Sequence, residues 1–443
     1  MPLFKAYDVR GVYPSEINEA VMEDIGRAFA DFIKGKKVAV GYDMRLSSPA
    51  LFKAFVRGVL RQGKDVLDFG LTSTPMSYFA CAYLKADGCA MITASHNPKE
   101  YNGVKFTKKS AVPIAGDTGL EEMGRIVERK SFKSVSGHGK VIKKEVKAAY
   151  AKHLLKSSKG IKPLTVVVDA ANGMGSQEFS LIEKKLPLKV TRLYFDIDGS
   201  FPNHDANPMK EGATDMLKKI VLKKKSDVGI AFDGDADRVF FIDEKGELVQ
   251  GDLITALIAE EMLKNHKGAT ILYDLRSSRV VAETIKKAKG KPLKCRVGHS
   301  YIKAQMRKEN AIFAGELSGH FYFKDNFFTD SGILTAIWVL KLLSSKKKKL
   351  SELIRPLRKY HATGELNLEV EGKEAAMERL EKAYKDANIE HLDGVTIEYS
   401  DWWCNVRASN TEPLLRLNLE ANTKKLMESK KKEVLRILKA PHG

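Results

Sequence analysis

Val228-Gly-Ile-Ala-Phe-Asp233-Gly-Asp235-Ala-Asp237-Arg238-Val-Phe-Phe-Ile242 is an acidic turn between two apolar runs of strand length. Asp233, Asp235 and Asp237 alternate with Gly234 and Ala236, so in an extended segment the three carboxylates point one way. Three like charges at that spacing call for a cation, and an all-oxygen donor set suits a hard one, magnesium above all. An EF-hand also opens Asp-x-Asp-x-Asp, and Glu244 falls at its twelfth place. Two features exclude it: Arg238 stands where the loop needs glycine, and the flanks read as strands rather than helices.

Upstream of this segment, periodicity predicts strand 165–169, a helix near Gln177, strand 190–195, helix 214–222 and strand 227–232, a parallel α/β round. An earlier round has the same order. Ser15 is a candidate cap for a helix with the apolar face Ile17, Val21, Ile25, Phe29 and Phe32, followed by strand 37–42. Ser48 before Pro49 opens helix 51–61, which Gly63 stops; strand 66–69, a helix over 78–84 and strand 89–93 complete it. A third round runs through helix 253–263, strand 270–275, helix 279–287, strand 293–297, helix 301–307 and strand 311–314. In all three, a polar non-helical segment follows the third strand: Thr-Ala-Ser95-His96-Asn-Pro, Asp233-Gly-Asp-Ala-Asp-Arg238 and Gly315-Glu316-Leu-Ser318-Gly-His320. Ligands of open α/β sheets bind beyond the carboxyl ends of strands, so three domains are expected to face one cleft.

After about Gly364 the order changes to strand, helix, strands 395–399, 403–407 and 414–419, and a lysine-rich helix, the pattern of a small antiparallel α+β domain. The expected fold class is α/β: three similar mixed α/β domains followed by a smaller α+β C-terminal domain, around one central cleft. The divisions fall at 1–144, 145–247, 248–362 and 363–443. A length of 443 residues, at roughly 150 per domain, accommodates several cores.

With 43% hydrophobic and 30% charged residues the chain reads as soluble and globular. Neither a signal peptide nor a transmembrane helix is expected, because the longest apolar stretch, 333–343, is interrupted by Lys341. Cys81, Cys89, Cys295 and Cys404 lack metal-site spacing and suit buried thiols in the cytoplasm. The net charge of +19 includes lysine runs at 223–225, 346–349 and 430–432. These follow or lie within helical patterns without aromatic interleaving, so solvated faces are expected rather than specific nucleic-acid binding. A basic surface equally attracts a dianionic substrate.

Ser95 stands at the mouth of a strand with Asn97, Asn102, Gly103 and Lys105 close behind, outside any G-x-S-x-G elbow. A serine there is ordinarily a turn or cap residue. Beside a magnesium site it is a candidate for phosphoryl transfer, with His96 and Lys105 available for protons or charge. Arg407-Ala-Ser409-Asn410-Thr411-Glu-Pro gathers a guanidinium, hydroxyls and an amide, which suits a phosphate, although a self-bonded hairpin loop has the same composition. Glu316 and Ser318 are candidates for reading sugar hydroxyls. No complete G-x-G-x-x-G and no Walker loop occurs.

Taken in order, from Phe4-Lys-Ala-Tyr-Asp-Val-Arg10-Gly to Arg407-Ala-Ser-Asn-Thr-Glu-Pro413, these motifs resemble the α-D-phosphohexomutase superfamily, in its phosphomannomutase/phosphoglucomutase branch. The resemblance implies that Ser95 carries the phosphoryl group and, with Asp233, Asp235 and Asp237, holds Mg2+. It implies that Glu316 and Ser318 contact sugar hydroxyls, that His320 lies near the reacting centre, and that Arg407, Ser409, Asn410 and Thr411 bind the distal phosphate. Arg10, Lys105, Arg238 and His299 match cleft positions, Lys105 as a candidate acid or base. Several relatives carry a lysine where this chain has Arg276, which keeps the charge but changes the reach. The implied reaction interconverts hexose 1-phosphate and hexose 6-phosphate of mannose or glucose through a phosphoserine enzyme and a hexose 1,6-bisphosphate that turns around in the cleft. A hinge near residues 360–364 and a monomer or homodimer are expected. Phosphoglucosamine mutases are the near alternative, but they typically differ where this chain has Leu317 and Asn410. A non-catalytic phosphosugar-binding protein and a metal phosphatase are the alternatives of other classes.

Overall fold

Apolar periodicity sets the elements here, while local polar chemistry sets where they begin. In the computed structural model, which describes residues 3–408 and 414–440, the first helix spans Glu19–Phe32 and buries Met22, Ile25 and Phe29. Its cap is Asn18, whose side chain accepts from Val21 N at 3.1 Å, and not Ser15. Ser15 is exposed in a preceding turn, where Glu16 N and Ile17 N both donate to Val12 O. The next helix, Ser48–Arg61, does start at Ser48, but that hydroxyl donates to Asp43 Oδ1 at 2.6 Å and makes no capping bond.

The three rounds share one topology. In the first sheet, strands Asp65–Leu71, Lys37–Tyr42 and Gly88–Ile92 lie side by side and parallel. Strand Tyr101–Lys108 then returns antiparallel against Gly88–Ile92. The second sheet repeats this with Leu188–Leu193, Leu164–Asp169 and Val228–Phe232 parallel and Val239–Ile242 antiparallel. The third does so with Lys291–Cys295, Thr270–Asp274 and Phe313–Gly315, returned by Phe321–Phe323. The sheets are therefore mixed, where strand order alone read as parallel. Each motif is the link from the third strand to its antiparallel successor. The strands of the second sheet continue to Val249.

A continuous apolar core, including Phe179, Phe232, Phe241, Phe313, Phe321 and Ile337, runs through the second and third sheets. The helix Gly332–Lys346 joins them and buries Ile333, Leu340 and Leu343. At ~25 cal/mol per Å2 of buried apolar surface, a core of this extent holds the units carrying the motifs in one arrangement. The fourth sheet is wholly antiparallel, in the order His361–Leu368, Leu415–Ala421, Trp402–Ala408, Val395–Glu398 and Asn388–Glu390. Helices Lys373–Ala383 and Lys424–Leu438 complete its own core around Trp402, Val406, Leu417 and Val434. The strand Asn388–Glu390 has no signal in the sequence pattern. No helix among the described residues is long and apolar enough to cross a membrane.

Candidate active site

Asp233, Asp235 and Asp237 are fully buried and bring carboxylate oxygens within 4.8 Å of one another. They converge by a turn, not by the extended alternation expected from their spacing. Ala236 takes a left-handed φ of 65°, and its N–H closes onto Asp233 O at 3.1 Å. Lys105, on the return strand of the first sheet, donates to Asp235 Oδ2 at 2.8 Å and Asp237 Oδ2 at 2.6 Å. Burial opposes its charge, but the two aspartates outweigh burial and hold the pKa above that of an ordinary lysine. Burial, then the Asp237 and Asp235 charges, push Asp233 well above the usual carboxylate range. Burial also opposes the charge on Asp237, yet Lys105 and His320 hold that group well below the range. Asp235 Oδ1 is buried with no hydrogen-bond partner among the described residues. An orphaned oxygen among hard donors fits a divalent cation of the magnesium class.

Ser95 meets this turn from the first sheet. Its Oγ lies 3.4 Å from Asp233 Oδ2 and 3.1 Å from His96 Nδ1. The residue sits at φ 53°, a left-handed conformation that costs a non-glycine residue about 1–2 kcal/mol and gathers at functional sites. Burial, aided by the Arg238 and Arg10 charges, keeps His96 well below the usual histidine pKa. Arg10 reaches the same loop, donating to Asn97 Oδ1 at 2.6 Å.

Arg45, which the motif reading passed over, holds this loop. Completely buried, it donates to the carbonyls of Ser95 (2.8 Å), Asn97 (2.6 Å), Pro98 (2.8 Å) and Tyr101 (2.9 Å). A signal for it was present in the repeat. An aspartate, Asp43, Asp169 or Asp274, ends or directly follows the first strand of each round and accepts the N–H two residues on. Arg45 and Arg276 occupy that second position in the first and third rounds, and Ala171 in the middle one.

From the third sheet, His320 Nε2 lies 3.3 Å from Asp237 Oδ1 and 3.3 Å from Arg238 Nε, and Arg238 and His320 form an antiparallel bridge. Gly319, just before His320, has φ 88°, and a Cβ there would meet the Phe240 ring at 2.7 Å, so the turn requires glycine. Burial resists a charge on His320, but Asp237 and Glu316 overcome it and its pKa rises to about 9. Glu316, likewise opposed by burial, is drawn down to about 2 by His320, Arg276 and Tyr322. It accepts from Tyr322 OH at 2.5 Å and Gly298 N at 3.2 Å. Ser318 Oγ lies 3.3 Å from His320 Nδ1, and the His299 ring is 6.3 Å from that of His320.

Arg276 reaches across to the fourth sheet. It pairs with Asp274 Oδ2 at 2.7 Å and with Glu365 Oε2 at 3.4 Å, the oxygen to which Arg407 also donates at 2.8 Å. Ser409, Asn410 and Thr411 lie outside the described residues. Ser95, His96, Lys105, the three aspartates, Arg238 and His320 thus form one cluster of contacts, which Arg10 joins through Asn97. Arg407 joins Arg276 through Glu365.

Family models match the chain over four consecutive segments: phosphoglucomutase/phosphomannomutase alpha/beta/alpha domains I, II and III at residues 1–134, 148–246 and 250–360, and the C-terminal domain at 365–437. A phosphomannomutase of Salmonella montevideo is 39% identical, with 98% of each chain covered. One of Methanocaldococcus jannaschii is 38% identical, covering 98% of this chain and 97% of the relative. The crystal structure of a phosphoglucomutase/phosphomannomutase family protein from Burkholderia thailandensis superposes with a TM-score of 0.93 at 32% identity, over 100% of this chain and 98% of that one.

Proposed function

Because the chain belongs to the phosphoglucomutase/phosphomannomutase family and is a hexose-phosphate mutase, we propose that it interconverts the 1- and 6-phosphates of mannose and glucose by way of phosphorylated Ser95. The observation that carries this reading is the placement of Ser95 Oγ 3.4 Å from Asp233 in a buried cluster whose remaining donors suit a divalent cation. In this reading Asp233, Asp235, Asp237 and Ser95 hold Mg2+, which, when bound, neutralises charge on the transferring phosphoryl group.

The rest of the chemistry falls to the chain's own residues. The sugar hydroxyl attacks phosphorus, the new O–P bond forms as the bond to Ser95 Oγ breaks, the hydroxyl's proton ends on the released Ser95 Oγ, and a hexose 1,6-bisphosphate results. Lys105, held protonated by two aspartates, supplies positive charge and a donor beside the reacting group. His96 Nδ1, 3.1 Å from Ser95 Oγ, is within reach of the proton that Ser95 must release when the phosphoryl group returns to it. Arg238 lies against His320, and Glu316 and Ser318, both in contact with His320, are the groups that read the sugar hydroxyls in this reading. Arg407, with Ser409, Asn410 and Thr411, takes the phosphate at the far end, so the bisphosphate must turn around between transfers. The two sugars differ only at carbon 2, and a site that accepts both orientations cannot enclose that carbon tightly. Losing one neutral hydrogen bond there costs ~1 kcal/mol, less than tenfold in rate. Four free, buried cysteines support work in the cytoplasm.

The test is to incubate the purified protein with mannose 1-phosphate, glucose 1-phosphate or glucosamine 1-phosphate, Mg2+ and a trace of the bisphosphate, following the 6-phosphates. Both neutral sugars should turn over, chelation should stop the reaction, and Ser95→Ala should fall by at least ~10^3-fold. Near-normal turnover by Ser95→Ala would overturn the carrier role, release of free phosphate would indicate a phosphatase, and a faster glucosamine phosphate rate would move the chain to the neighbouring branch.

A further inference from the structure

The helix His299–Lys308 begins with a histidine and carries a lysine one turn later, at position 303, on the same face. Lys303 is fully buried. Its Nζ lies 3.0 Å from Asp330 Oδ1, 2.9 Å from Tyr78 OH and 4.0 Å from the centroid of the Tyr78 ring. Burying such a pair costs several kcal/mol in desolvation, and hydrophobic residues would fill the same space at no such cost. The mechanism above uses neither residue. The ammonium also lies 5.9 Å from the Tyr322 ring centroid and 3.5 Å from His299 Nδ1, and Ser300 Oγ lies 3.4 Å from the same nitrogen.

An ammonium has three donors and no acceptor. Facing it, His299 Nδ1 has to be the bare, accepting nitrogen, which puts the ring proton on Nε2. Nε2 takes no hydrogen bond among the described residues and is left for a ligand. The helix N-terminus adds positive potential at the ring and works in the same sense as Lys303. Tyr7, whose ring centre is 5.5 Å from that of His299, packs against the imidazole from the bend just before the strand Val9–Val12.

We propose that Lys303, anchored by Asp330 and Tyr78, is a positioning residue that fixes the His299 tautomer so that Nε2–H serves as a neutral donor to the phosphosugar. This rests on the mutase reading, in which His299 contacts substrate. A neutral N–H bonds a hydroxyl or a phosphate oxygen without the grip of a cationic donor, which suits an intermediate that must let go and turn.

The experiment is ring 15N NMR of [15N]histidine-labelled full-length protein, with His299 assigned from its loss in His299→Asn. The wild type should show Nδ1 bare and Nε2 protonated. Lys303→Met/Asp330→Asn, which removes both buried charges together, should show mixed tautomers or Nδ1–H, with kcat/KM down about 10–100-fold. Ser95→Ala should leave the His299 pattern unchanged, so the tautomer is read without turnover and stands or falls apart from the mutase reading. Protonated Nδ1 in the wild type would overturn the proposal even if the double variant fails to fold. An unchanged Nε2–H pattern in a folded double variant would overturn it as well.

Discussion

Ser95 is recognisable by its neighbours in sequence, but its conformation depends on Arg45, 50 residues away. Four carbonyls of the loop from Ser95 to Tyr101 each accept a hydrogen bond from this one guanidinium. Removing it takes a donor from each of them, leaving Pro98 O with the bond from Tyr101 N, and leaves the buried Asp43 without its cation, 3.5 Å away. Loss of one partner from such a buried pair costs about 3–5 kcal/mol. Arg45→Met should therefore lower the unfolding free energy by that order and depress kcat more than it changes KM, because the loop presents the nucleophile. Arg45→Lys, with fewer donors and a point charge, should recover only part of the loss. Denaturant titration alongside steady-state kinetics measures both, and an Arg45→Met enzyme with wild-type kcat would refute the assignment.

Between elements, the decisive contact is the docking of the helix Gly175–Ile182 on the start of the helix Thr74–Tyr83. Glu178, fully buried on the former, receives the hydroxyl of Ser73, the cap of the latter, and Tyr150 OH at 3.0 Å and 3.1 Å. The next residue, Thr74, donates to Asp235 Oδ2 at 2.6 Å, so this docking also positions the acidic turn. Burial above all, with the Asp235 charge, pushes Glu178 up to about 8, against the bonds from Ser73 and Tyr150. The folded protein then binds a proton that the unfolded chain releases near pH ~4.5. The stabilisation from this group is complete below that pH and is lost as pH rises through about 8. Glu178→Gln should remove the dependence. Wild-type stability should fall by up to ~1.4 kcal/mol per pH unit relative to the variant across the window, so that the variant is the more stable protein above it. Urea unfolding at several pH values tests this, and parallel curves would count against it.

At the scale of the whole molecule, the fourth sheet faces the rest of the chain through shared charges. Glu365 collects Arg276 from the third sheet and Arg407 and Arg416 from the fourth. Burial opposes its charge, but the three arginines hold the carboxylate at about 2. A lowered carboxylate stabilises the folded protein above its unfolded pKa of ~4.5, and that contribution is lost as pH falls through about 2. Glu365→Gln should cost about 2–3 kcal/mol at neutral pH and flatten acid unfolding in that window. Amide exchange in the strands His361–Leu368 and Trp402–Ala408 should quicken. Unchanged exchange and stability would show that the arginines hold their places without it.

The linear sequence determined the rounds of strand and helix, the antiparallel character of the last unit, and the chemistry of the Ser95, Asp233–Asp237 and Glu316–His320 segments. Periodicity and donor type are local properties, readable wherever they occur. Tertiary structure alone decided what those segments do to one another. The mixed sheets arise because each motif turns the chain back antiparallel, which strand composition does not encode. The aspartates converge because Ala236 adopts a left-handed turn. Lys105 reaches Asp235 from 130 residues away, Lys303 reaches Tyr78 from 225, and Arg276 meets Arg407 only through Glu365. Each of these depends on burial and distance in space, because a buried charge is stable only beside its partner, and sequence separation carries no record of which partner that is.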